Sequence, residues 1–227
     1  VPFSDRADAA QVEIPVAATA LAGQLTIPAG ATAGLVMFVH GSGSSRHSPR
    51  NQYVARQLNE ARLGTLLFDL LTPAEELDRA HVFDIAALAG RLTRVTGWLR
   101  GLPEGRHARL GYLGASTGAA AALSAAAEPG ADIAAVVSRG GRPDLAGARL
   151  ASVRAPTLLI VGGRDLAVLD LNHQAQQQLT CENELAVVPG ATHLFEEPGA
   201  LPAAAELARD WFMRYLGGRQ FSGSSPA

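Results

Sequence analysis

The chain has no lysine: all 19 of its Lys and Arg positions are arginine. That removes a Schiff-base or general-base lysine from consideration. It also removes the lysine of a G-x-x-x-x-G-K-[ST] phosphate loop, so the glycine-serine run at 40–45 is not read as one. There is a single cysteine, Cys181, which can form no internal disulfide and implies no oxidising compartment. It reads as an ordinary loop or edge thiol. Charged residues are 18 % of the chain and the net charge is −2, leaving no electrostatic footprint for nucleic acid or an anionic membrane. No H-E-x-x-H and no clustered His/Cys set occurs, so neither a metal nor another cofactor is expected. The uncharged run 110–127 is rich in alanine, glycine and hydroxyls, too weakly apolar to read as a membrane span. The N-terminal VPFSDRADAA lacks the apolar centre of a signal peptide, which points to the cytoplasm. A start at Val1 leaves a removed leader or a shortened chain open.

What is present is a globular composition, 48 % hydrophobic over 227 residues, read as one domain over 1–227 with frayed ends at 1–9 and 218–227. Strand and helix signals alternate. A leading hairpin is predicted over 12–15 and 21–27, then strands over 34–39, 64–68, 110–113, 133–137, 156–161 and 185–188. Several are continuous apolar runs, the mark of strands buried on both faces. Helices are predicted over 52–61, 84–102, from 117 to before Pro129, and over 166–179 and 203–216. The pattern implies an α/β fold with a mostly parallel sheet flanked by helices. Ligands of such sheets bind at the carboxyl ends of the strands. Fewer than twenty residues separate the strands ending at Val137 and starting at Pro156. That leaves no room for a cap domain, and an open site is expected.

Within this frame Gly114-Ala115-Ser116-Thr117-Gly118 is a G-x-S-x-G between a strand and an alanine-rich helix. In isolation the pentapeptide is more often a plain turn. On a strand-to-helix turn it holds a serine clear of the backbone, beside the free amides of a helix N-terminus. Gly114 and Gly118 would remove side chains that collide where strand and helix pass. The implied chemistry is nucleophilic acyl transfer through Ser116.

Serine needs a base, and the base an orienting carboxylate. Two histidines follow the elbow. His173 lies inside a predicted helix and reads as a solvated surface residue, whereas His193 stands in a glycine-containing loop after a strand and is the candidate base. Among the downstream acids, Asp165 follows a buried strand and a glycine turn and is the candidate orienting carboxylate; alternatively it is only a helix N-cap. Glu196 and Glu197 are read as caps of the last helix. The oxyanion donors expected are the amides of Thr117 and Ser42, with Gly43 as alternative. His40 opens that loop and is expected to brace it. Arg139 and Arg142 are candidates for holding a substrate anion, against an internal ion pair with Asp144 or another loop acid. Arg46, Arg50 and Asp69 invite the same two readings.

These blocks, HGSGSSRHSPRN, TLLFDLLT, GASTGAAAAL, SRGGRPDLA, APTLLIVGGRD and PGATHLFEEPGAL, resemble the α/β-hydrolase superfamily, and within it the dienelactone hydrolase-like family, over nearly the whole chain. The resemblance implies the α/β-hydrolase fold and Ser116, Asp165 and His193 as a triad. The dienelactone hydrolases that name the family use cysteine where serine stands here, which favours a simple carboxylesterase. A lactone or dienelactone hydrolase, an acyltransferase and a non-catalytic small-molecule binding protein are the alternatives. Some relatives of this type are fused to a phosphoribosyltransferase domain, and this chain shows no motif of one. The expected partner is a small-molecule ester or lactone.

Overall fold

The computed structural model describes residues 8–17, 19–29 and 34–217. Its centre is one eight-stranded sheet in the order β1-β2-β4-β3-β5-β6-β7-β8. β1 (Asp8–Val16) and β2 (Thr19–Ile27) form the antiparallel leading hairpin, and β2 pairs antiparallel with β4. β3 (Leu35–Val39), β4 (Gly64–Phe68), β5 (Leu110–Ala115), β6 (Ala135–Arg139), β7 (Thr157–Gly162) and β8 (Asn183–Val188) run parallel. β3, β4, β6 and β7 are buried at every residue, which is why their sequences show no polar alternation. Residues 8 and 9, expected to fray, are part of β1. The rest of the expected frayed ends, 1–7 and 218–227, lies outside the described residues.

The helices begin where local chemistry supplies a cap. Ser48 accepts from the Asn51 amide ahead of Pro49, so α1 (Pro49–Glu60) starts three residues before its predicted bound. Asp78 caps a short α2 (Arg79–Phe83), and Asp84 caps α3 (Ile85–Gly101) through the Ala87 amide. A single-turn α4 (Pro103–Arg106) leads into β5. α5 (Thr117–Ala126) is buried at all ten positions, as a helix of small side chains must be when it is sandwiched. α6 (Leu166–Gln178) and α7 (Ala200–Leu216) follow.

On one face of the sheet α3 and α5 enclose Leu92, Val95, Leu99 and Leu123; on the other α1 and α7 enclose Val54, Leu58, Trp211 and Phe212. Between β6 and β7 the chain runs through tight 3-10 turns over Pro143–Ser152, with no inserted cap. β3 and β5 are neighbours, but their helices leave to opposite faces. A crevice therefore opens at their carboxyl ends, the position at which doubly wound sheets bind ligands.

Candidate active site

The crevice brings the loop after β3 against the turn after β5. Ser116 sits on that turn at φ 50° and ψ −125°, a region that side-chain-bearing residues avoid at a cost on the order of 1–3 kcal/mol. Its carbonyl is held from two sides, by the Ala119 amide at 3.1 Å and the Arg142 amide at 3.0 Å. Glycine is required alongside. A Cβ at Gly118 would lie 2.1 Å from the Val39 carbonyl oxygen, and one at Gly114 would lie 2.4 Å from the Ala119 Cα. Ser116 thus stands where strand and helix nearly touch.

Asp165 occupies the N-cap position of α6, yet its side chain makes no capping hydrogen bond. Its Oδ2 instead lies 2.7 Å from His193 Nδ1, across 28 residues of sequence. A carboxylate oxygen accepts, so Nδ1 carries the hydrogen and Nε2 is left as the basic nitrogen when the ring is neutral. Asp165 is 16 % exposed and His193 39 %, so the carboxylate of the pair is protected and the imidazole accessible. Ser116 and His193 line one cleft of about 360 Å³ together with Gly41, Ser42, Asn51 and Arg139. His173 is exposed on α6, away from this cleft.

The 40–45 loop is built as a rigid wall. His40 is buried; its Nδ1 donates to the Gly41 carbonyl at 3.0 Å and its Nε2 accepts from the Leu70 amide at 3.1 Å, the bracing role expected. Arg46 clamps the loop to Asp69 at the end of β4 through its side chain and its backbone amide, the latter at 2.7 Å. The Thr117 amide donates to no protein atom among the described residues. The Ser42 amide, expected to be its partner donor, is directed at the Thr117 hydroxyl, 3.1 Å from Oγ1. Gly43, the alternative, stands next in the loop at φ 67°.

The arginines divide. Arg142 makes a two-pronged pair with Asp144, both contacts 2.8 Å, and does not line the cleft. Arg139, for which the same pairing was the alternative to a substrate anion, meets no carboxylate among the described residues. It is 7 % exposed, and Nη2 donates to Asn51 Oδ1 at 2.9 Å. Its Nη1 is buried without a hydrogen-bond partner among the described residues. Burial, and next the positive charge of Arg50, push the guanidinium down to about 10. Arg50 itself pairs with Glu196 at 3.2 Å.

Glu197 corrects another expectation. α7 is capped by Gly199 with no side-chain bond, and Glu197 Oε2 accepts from the Thr192 amide at 3.0 Å. Its hydrogen bonds to Thr192 hold its carboxyl below the usual range and brace the loop that carries His193. Asn51 has no role in any of the catalytic sequence motifs, although its position carries a signal. It lies on the stripe Asn51, Val54, Ala55, Leu58 that α1 buries, and a buried amide needs a partner.

A profile of the Dienelactone hydrolase family matches residues 74–217. The crystal structure of Dienelactone hydrolase from Anabaena variabilis superposes with a TM-score of 0.88 at 55 % identity, covering 92 % of this chain and 98 % of that one. Est1E from Butyrivibrio proteoclasticus has the same fold, with a TM-score of 0.77 at 16 % identity over 91 % of this chain and 98 % of that chain. The Mycobacterium tuberculosis protein named Putative phosphoribosyl transferase Rv0571c is 59 % identical over 213 residues, which are 94 % of this chain and 48 % of that protein. The chain therefore spans about half the length of the curated relatives it matches. Sheet order, elbow and a family match over most of the chain agree, and the chain belongs to the dienelactone hydrolase family.

Proposed function

We propose that this chain is a serine hydrolase that cleaves carboxylic esters. The observation that carries the reading is the Asp165 carboxylate. It stands at a helix N-terminus, leaves that helix uncapped, and binds His193 in the cleft that contains Ser116. An aspartate with only a capping role would bond to α6.

In this reading His193 Nε2 takes the Ser116 hydroxyl proton as Oγ bonds to the ester carbonyl carbon. The carbonyl oxygen becomes an oxyanion facing the Thr117 amide, with the Gly43 amide as second donor, or the Ser42 amide once it leaves the Thr117 hydroxyl. The intermediate collapses, the carbon–oxygen bond to the alcohol breaks, and His193 returns its proton to the departing oxygen. Water then repeats the sequence on the acyl-enzyme, giving the acid and free Ser116. Asp165 remains a carboxylate throughout and holds the ring in the Nδ1–H tautomer.

The buried Arg139, which lines the same cleft and has one nitrogen without a hydrogen-bond partner among the described residues, supports an anionic group on the substrate. It also favours the second reading, hydrolysis of a carboxylate-bearing lactone. The phosphoribosyl transferase name belongs to proteins about twice as long as the matched segment.

Fluorophosphonate treatment followed by peptide mass spectrometry should place one adduct on Ser116. Ser116→Ala should lose about a million-fold in 4-nitrophenyl acetate turnover with an unchanged fold. Activity retained by Ser116→Ala overturns the mechanism. A chain that neither labels nor turns over esters is a binding protein.

A further inference from the structure

The backbone of Gly41, Ser42 and Gly43 is a shared wall. The cleft with Ser116 and His193 lies against it, and so does a second, smaller cavity of about 120 Å³. Thr117, the residue after the nucleophile, lines this second cavity. The rest of its surface is mainly the aliphatic side chains of Leu70, Leu71, Val82 and Leu88, with the exposed Glu76 contributing a carboxylate. Leu70 and Leu88 are buried, and Arg91 ties the Leu70 carbonyl to α3 at 2.7 Å, so the cavity is built on rigid parts.

We infer that this cavity is the acyl pocket, and that the preferred substrates are esters of short, uncharged aliphatic acids. The inference rests on the serine hydrolase reading. A tetrahedral carbon on Ser116 has three other substituents. The oxyanion must face the backbone donors, and the alcohol must face His193 to receive its proton. The acyl chain is left to the remaining direction, away from His193, and the apolar space next to the cleft is this cavity, which shares the Gly41, Ser42 and Gly43 loop with it and is lined by the residue after Ser116. An engineered apolar cavity of about 150 Å³ accepts benzene, so this one holds a tail slightly smaller than six carbons. Butanoyl and pentanoyl groups fit that description.

Charge gives the pocket its second preference. Glu76 makes no ion pair or side-chain hydrogen bond among the described residues, so its carboxylate repels an acyl group that ends in an anion. The buried cation, Arg139, lies in the other compartment. The substrate is thereby oriented, with a neutral acid part towards Leu71 and Val82 and the alcohol part towards Arg139.

The test is kcat/KM for 4-nitrophenyl acetate, butanoate, hexanoate, octanoate and hemisuccinate, on the 227-residue chain and two variants. The parent should gain about fourfold per methylene up to butanoate, the value of one buried methylene, and lose rate by octanoate. Hemisuccinate should be cut at least about tenfold less well than butanoate, since a charge must be buried beside a like charge. Val82→Phe should lower the butanoate-to-acetate ratio by about tenfold, and Val82→Ala should move the optimum to hexanoate. A chain-length profile that neither variant changes, with acetate still cleaved, overturns the pocket while leaving the serine hydrolase reading intact. No cleavage of any ester and no fluorophosphonate adduct on Ser116 overturns that reading and this pocket together.

Discussion

The amide of Ser42 donates to the hydroxyl of Thr117 across 75 residues of sequence, at 3.1 Å. The single hydrogen of one proposed oxyanion donor is thus held by the side chain of the residue that supplies the other. The Thr117 hydroxyl donates to no protein acceptor among the described residues, so its own hydrogen is free to face developing charge. Thr117→Val, nearly the same shape, should lower kcat by about fivefold to tenfold with little change in KM, the worth of one neutral hydrogen bond. Thr117→Ser should restore most of the loss. Steady-state kinetics on 4-nitrophenyl acetate decides it, and a rise in kcat for the valine variant would mean that the hydroxyl competes with the oxyanion.

Replacing Asp165 with asparagine keeps the size of the side chain but permits the wrong imidazole tautomer. Asp165→Asn should reduce kcat by about a thousandfold to ten-thousandfold, less than Ser116→Ala. Because the Asp165 side chain does not cap α6, the thermal midpoint should move little. A variant with unchanged kcat assigns the acid role to another residue.

Arg139 separates charge recognition from chemistry. Arg139→Met should raise KM for 3-acetoxybenzoate by about tenfold or more, the value of a desolvated charge-assisted contact. Phenyl acetate, with the same acyl group and no anion, should respond far less. Equal responses to the two esters would reduce Arg139 to a packing residue.

The segment that walls the acyl pocket is fastened by Glu75 and Arg91, paired through two contacts of 2.7 Å. The hydrogen bonds from Arg91 hold the Glu75 carboxyl down at about 2, from an ordinary 4.5. A depressed carboxylate stabilises the fold above its unfolded pKa, and that contribution fades as pH falls towards the folded value. Glu75→Gln should therefore cost on the order of 2 kcal/mol at neutral pH, allowing for solvent screening. The difference from the parent should shrink below pH 4.5 and vanish near pH 2. Urea unfolding at stepped pH measures it, and a pH-independent difference contradicts the assignment.

Much of this was legible in order along the chain. β3 and β4 announce themselves as unbroken apolar runs, and Asp84 marks the start of α3 by its position before an apolar stripe. Two pairings that the sequence suggested do not form, for one cause. Glu197 stands close before α7 and looks like its cap, and Arg139 stands five residues before Asp144 and looks like its partner. Proximity in sequence suggested both pairings, but the direction in which β6 and the Thr192 loop present these side chains sends them elsewhere. The short helices at 75–77 and 79–83 escaped notice because single turns carry no periodicity to read.

By itself, the sequence determined the alternation of strands and helices, the strained serine turn, and the order in which serine, acid and histidine occur. Those are local matters of apolar period, glycine placement and caps, each complete within a few residues. Only the tertiary structure decided that Asp165 leaves its helix for His193, that Arg139 is buried beside Asn51 with no carboxylate partner among the described residues, and that Leu70, Val82 and Leu88 meet Thr117 around one cavity. Such contacts depend on how separate elements pack against one sheet, and burial then rewards whichever partner the packing brings within hydrogen-bond reach.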